Sequence, residues 1–157
     1  LLLTLPVTFD KGTSIALGES SVCPFNSQNT TWFEDAFPLL YLPSYCSFRM
    51  TDIWRSFVAQ RIAWTCGWSV LFHESTVWQD RNMHNLMNDF KDEIIGYTHN
   101  AYIVSQLMAI ELQPGISNIP SNMRRCYERL IDLQVIDFSE LSLLEAWLDD
   151  VASLRNN

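Results

Sequence analysis

The run "TDIWRSFVAQRIAWTCGWSVLF", from Thr51 to Phe72, constrains the fold more than any other stretch of the chain. Trp54, Phe57, Val58 and Ile62, with Trp64, recur at helical spacing. Thr51 or Asp52 stands where an N-cap belongs, and Gly67 where a glycine ends a helix. The pattern predicts a helix over 51–66, and "WSVLF" predicts a strand after a short turn. Helix, turn and strand in that order suit an α/β layer in which the helix packs on a sheet.

The flanks extend this reading. Residues 1–9 are apolar β-formers closed by a turn at 10–12, "TSIALG" reads as a second short strand, and 29–33 is compatible with another. "EDAFPLLYLP" suits a short helix that Pro38 limits. After a polar, irregular 75–82 that isolates Trp78, Met83, Leu86, Met87, Phe90 and Ile94 predict an amphipathic helix. A more apolar helix is expected over 101–112, stopped by Pro114-Gly115. Two more follow, capped by Ser121 and begun by Ser139. The expected fold class is α/β in the first half, followed by a helical extension, with domains at 1–100 and 101–157.

Composition narrows the function classes. A chain of 157 residues with 48% hydrophobic content can bury a core of its own. A net charge of −8 and a pI near 4.7 argue against duplex nucleic acid as a partner. No apolar run approaches the roughly 18–20 residues of a membrane span. The chain starts at Leu1 without a charged leader, so it reads as a segment of a longer protein. Cys23, Cys46, Cys66 and Cys126 show no zinc-like spacing and read as free thiols, with a Cys23–Cys46 bridge open if the chain is lumenal. Asn29-Thr30-Thr31 is a glycosylation sequon.

The residues that could carry chemistry gather in "PFNSQNTTW" and "SFRMTDIWRS". Asp52 is either a helix cap or a carboxylate that deprotonates or positions a sugar hydroxyl. Arg55 in the first helical turn opposes the helix dipole and needs a partner, either Asp52, a bound anion or a surface ion pair. Arg49 precedes the helix, and Arg61 lies on another face. Asn26, Ser27, Gln28 and Asn29 between Phe25 and Trp32 suit a pyranose, with its hydroxyl edges and apolar faces, or simply a capped loop. Trp32, Trp54, Trp64 and Trp78 admit a carbohydrate-binding module without turnover. His73 after a strand is a weak metal candidate beside its structural reading, Asp80-Arg81 a local ion pair, and His84 and His99 surface residues. No Gly-rich phosphate loop, GxSxG, HExxH or DxD occurs.

The blocks "PFNSQNT", "AFPLLYLP", "SFRMTDIWRSFVAQRIAW", "TVWQDRN" and "LMNDFKDE" resemble the C-terminal half of the STELLO-type glycosyltransferases, best over 1–112 and more loosely over 138–151. The resemblance implies the second half of a GT-A-like nucleotide-sugar transferase domain, distantly similar to UDP-arabinopyranose mutases. It implies Golgi membrane localisation with a lumenal domain, a UDP-sugar donor, and a glycan or protein acceptor. Asp52 is then the catalytic carboxylate, Arg49 and Arg55 face the diphosphate or an anionic acceptor, and Asn26, Ser27 and Asn29 face the sugar. A divalent Mn²⁺ or Mg²⁺ is expected, with its main ligands upstream of Leu1, so this chain alone is expected to be inactive. The competing expectation is a non-catalytic scaffold that binds other membrane-associated glycan enzymes through the helical half, Trp147 included.

Overall fold

The computed structural model describes residues 11–78, 80, 83 and 85–155, so the strand expected over 1–9, with Arg81 and His84, lies outside the described residues. Its centre is the predicted helix, α1, Thr51–Thr65. The helix is not capped by Thr51 or Asp52. A 3-10 turn, Phe48–Met50, runs straight into it, so the N-cap position falls on Met50, whose backbone is already near-helical and makes no side-chain cap. Its far end follows the sequence: Gly67 takes φ 72°, its N–H donates to the Trp64 carbonyl at 3.1 Å, and Trp68 N–H donates to Ala63 at 2.9 Å. These two bonds make a Schellman stop, which glycine accepts without a Cβ penalty.

Two short strands, β1 (Ser14–Ala16) and β2 (Leu71–His73), pair antiparallel with Ile15 opposite Phe72. All six of their residues are exposed, so this sheet is not the surface on which α1 packs. No strand forms over 29–33, where Asn29 turns the chain with φ 48°. Residues Glu34–Leu40 form a 3-10 helix around Pro38.

The remaining helices are α2 (Leu86–Met108), α3 (Ile119–Asp132) and α4 (Glu140–Arg155). The two helices expected across 83–112 are one, since no breaker interrupts 95–105 and the lone Gly96 is tolerated inside it. Asn85 caps α2 by accepting from Met87 and Asn88 N–H. At its other end Arg61 of α1 donates Nε to Leu107 O at 3.1 Å and Nη2 to Ile110 O at 2.6 Å. A guanidinium there satisfies orphan carbonyls at the negative end of the helix dipole. Helix α3 starts two residues before Ser121, whose hydroxyl bonds Asn118 O.

The core lies where α1 meets α2 and α3: Trp54, Ile62, Ile103, Leu107, Ile119, Met123, Cys126 and Leu130 are all at most 1% exposed. Fully burying such side chains is worth about 1.5–3 kcal/mol each before chain entropy is set against it. Helix α4 joins through Leu144 and Leu148, and Arg124 forks onto Glu145 at 2.5 and 2.6 Å. Trp147 is half-buried against the first half of the chain: its indole donates to Pro38 O at 2.9 Å beside Tyr41. All four cysteines are free thiols. None of the described helices is long and apolar enough to cross a membrane.

Candidate functional site

From Trp54 to Gln60, α1 is buried on every side, including Arg55, Ser56 and Gln60. The polar side is covered by the segment 23–27. Gln60 Oε1 accepts from Cys23 N–H at 3.0 Å, Ser56 Oγ from Phe25 N–H at 3.3 Å, and Asp52 Oδ2 from Ser27 N–H at 3.1 Å. Positions 52, 56 and 60 rise by about 6 Å per step along a helix, and two residues of near-extended chain span roughly 6.6 Å. The two repeats match, so every second amide of the loop meets a side chain of the helix.

Asp52 is the last rung of that ladder and the first at a cleft of about 600 Å³. Asn26, Ser27, Arg49 and Asp52 line this cleft, with Phe48, Met50, Glu93, Tyr97 and Asn100 opposite or beside them. Its Oδ1 has no hydrogen-bond partner among the described residues. Phe48 and Tyr97 are 87% and 73% exposed, which leaves two aromatic faces at the rim.

Arg49 Nη2 pairs with Asp89 Oδ1, tying the turn before α1 to the first turn of α2. With Asp52, Glu93 and the pair-bound Arg49 on its walls, the cleft carries no surplus positive charge. Such walls favour a neutral, hydroxyl-rich ligand over a diphosphate.

Arg55 does not reach the cleft. It is 2% exposed, with its guanidinium 5.5 Å from the Phe25 ring and 5.0 Å from the Trp32 ring. Its Nη2 donates to Ser27 Oγ at 3.0 Å and its buried Nε has no partner among the described residues. Burial pulls its pKa below the ordinary arginine range, against the opposing pull of Asp52. Of the partners open for Arg55, a surface ion pair does not form: the guanidinium is buried in an aromatic slot, with Asp52 acting on it electrostatically. Asn29 also lies off the cleft lining, its Oδ1 accepting from Thr76 Oγ1 at 3.0 Å.

The α2 contribution, Glu93, Tyr97 and Asn100, was missed by sequence reasoning. The only local trace is the i,i+4 bond from Tyr97 Oη to Glu93 Oε2 at 3.2 Å. His73 is exposed with Nδ1 2.7 Å from Glu74 O, and His99 bonds its own helix. Among the described residues no three His, Cys, Asp or Glu side chains gather to hold a metal ion. The four tryptophans do not form one platform: Trp54 is buried with its indole on Asn100 Oδ1 at 2.9 Å, and Trp78 is 86% exposed.

Comparison with curated proteins gives no match. The family model described as STELLO glycosyltransferases matches residues 49–157. The matched span holds Arg49, Asp52, Arg55 and all four α-helices, reaches the C-terminal helix that the sequence blocks resemble only loosely, and begins after the 23–30 loop. The chain therefore belongs to the family of STELLO glycosyltransferases.

Proposed function

We propose that the cleft at the head of α1 is the acceptor side of a glycosyl-transfer site and that Asp52 is its base. The carrying observation is the split state of that carboxylate. Oδ2 is held by Ser27 N–H, whereas Oδ1 has no hydrogen-bond partner among the described residues and the residue lines a cleft with amides and two exposed rings. An acceptor hydroxyl oxygen forms a bond to the anomeric carbon of a nucleotide sugar. The bond from that carbon to the diphosphate breaks, the nucleotide diphosphate leaves with the electron pair, and the hydroxyl proton passes to Oδ1. Asn26 and Ser27 orient the sugar hydroxyls and Phe48 or Tyr97 supplies an apolar face.

The donor is a UDP-sugar whose diphosphate is bound by residues outside this chain. The described residues do not gather a ligand set that fits Mn²⁺ or Mg²⁺. The chain is the second half of a GT-A-like domain with a helical extension packed on it, working in the Golgi lumen and inactive when expressed alone. The test is Asp52→Asn in the full-length protein, with sugar transfer or donor hydrolysis as the readout. A base is worth about 10²–10⁴-fold in rate, and an unchanged rate rules out the role.

One observation favours a second reading. Leu86, Met87, Phe90, Ile94 and Tyr97 leave an exposed stripe along the first half of α2, the kind of surface a non-catalytic scaffold would offer a protein partner. Calorimetry of the intact protein with UDP-sugars and Mn²⁺ separates the two. Absence of heat with every donor favours the scaffold.

A further inference from the structure

Arg55 occupies a place that plain packing would not assign to it. A guanidinium at the fifth residue of α1 is almost wholly desolvated and leaves Nε without a partner among the described residues. An apolar side chain of similar volume would fill the slot between Phe25 and Trp32 without those costs. What such a side chain would not do is donate to Ser27 Oγ. Ser27 is exposed, and apart from Arg55 its hydroxyl has no partner among the described residues.

We infer that Arg55 is a positioning residue: it anchors Ser27, and Ser27 in turn fixes the Asp52 carboxylate at the cleft. The chain of contacts is short and directional. Arg55 Nη2 donates to Ser27 Oγ at 3.0 Å, and Ser27 N–H donates to Asp52 Oδ2 at 3.1 Å. Phe25 and Trp32 hold the guanidinium plane, so the fork has one orientation to offer. The upper rungs at Ser56 and Gln60 fix the loop only as far as Phe25. Beyond it, among the described residues, Arg55 and Asp52 tie Ser27 to α1. Without Arg55 the last rung is free to swing, and Asp52 with it. The inference rests on the reading of Asp52 as the base.

Ser27→Ala and Arg55→Lys, each alone and combined with Asp52→Asn, test it in the full-length protein. The readouts are UDP release from UDP-glucose, UDP-galactose, UDP-N-acetylglucosamine and UDP-xylose with Mn²⁺, thermal melting, and amide exchange at Ser27. Each single variant is expected to lower kcat by about 10–100-fold with the donor KM unchanged. Ser27→Ala should move Tm by less than about 2 °C, as a surface change does. Neither variant should cost anything further once Asp52→Asn is present. In Arg55→Lys the Ser27 amide should exchange at least about 10-fold faster while the amides of 57–63 keep their rates. Full kcat in both variants beside an inactive Asp52→Asn overturns the positioning role and leaves the base intact. Full activity in Asp52→Asn overturns the base, as does no UDP release from any of the four donors. Unchanged Ser27 exchange in Arg55→Lys overturns the anchoring without reference to activity, and Ser27→Ala preserves the kinetic test if Arg55→Lys does not fold.

Discussion

Gln60 holds Cys23 by both of its backbone groups, accepting from the N–H at 3.0 Å and donating to the carbonyl at 2.9 Å. A third bond, to Ser56 O at 3.0 Å, orients the amide. This buried side chain starts the ladder that Asp52 ends, so the two are coupled through one loop segment. Gln60→Ala strands both polar groups of Cys23. It should cost roughly 2–3 kcal/mol in urea unfolding, the price of burying unpaired amide groups. Gln60→Glu should cost more, because it removes the donor and buries a charge. A loss below about 0.5 kcal/mol for Gln60→Ala, typical of surface sites, would show that the loop is not held from the helix.

Glu140 latches the C-terminal helix to the first half of the chain. The carboxylate is fully buried at the start of α4 and accepts from Tyr41 Oη, from Ser44 N–H at 3.0 and 3.1 Å, and from Tyr45 N–H at 2.7 Å. Burial raises the Tyr41 pKa above the ordinary phenol range, and the bond to Glu140 adds to it. A helix N-terminus suits the negative charge. Glu140→Ala leaves these donors unpaired and should destabilise by roughly 3–5 kcal/mol. Glu140→Gln, which keeps one acceptor, should cost about half as much. Equal losses in the two variants would mean that volume, not hydrogen bonding, sets the role of the side chain.

How far the sequence carried depends on whether a feature is local. The span of α1, its glycine stop and the short strand at 14–16 are written in neighbouring residues, and periodicity finds them. Asp52 and Ser27 were legible as cleft residues because polar groups clustered on both sides of one aromatic stretch. The partners of Arg49, Arg55 and Arg61 were not legible, for a physical reason. They are Asp89, an aromatic slot and the end of α2, and two of these lie 40 or more residues away. Glu140 gave no signal at all, since a glutamate opening a helix is ordinary on the surface. Only the approach of residues 41–45 buries it.

The thiols set an alkaline limit. Burial pushes Cys126 up to about 12 and Cys46 up to about 11, from the ordinary 9.0. A folded pKa above the unfolded one means that the folded state holds the proton more tightly. The resulting stability is complete below pH 9 and is lost as pH rises through the folded values. Each thiol should contribute a slope of about 1.4 kcal/mol per pH unit within its window. Cys126→Ala should weaken the protein at pH 7 through lost packing, yet flatten the decline between about pH 9 and 11 by that amount. Parallel curves for the two proteins would refute the assignment.

Gly96 sits inside α2 where a Cβ would overlap Met50 Sδ and lie 3.0 Å from its Cε. Glycine to alanine in a helix interior ordinarily gains about 1 kcal/mol. Here the methyl meets a side chain that is 5% exposed and wedged between the helices, and overpacking of that kind costs about 1–3 kcal/mol. Methionine yields more readily than a branched residue, so the net effect of Gly96→Ala should be a loss of roughly 1 kcal/mol. Met50→Ala should cost about 2–5 kcal/mol on its own by leaving a cavity. In the double variant the new methyl fills part of that cavity, and urea unfolding should show a favourable coupling of at least about 1 kcal/mol. Simple additivity would mean that Met50 moves aside freely. Because Met50 also lines the cleft beside Asp52, its displacement in Gly96→Ala should narrow the space open to an acceptor, and the same double variant should restore it.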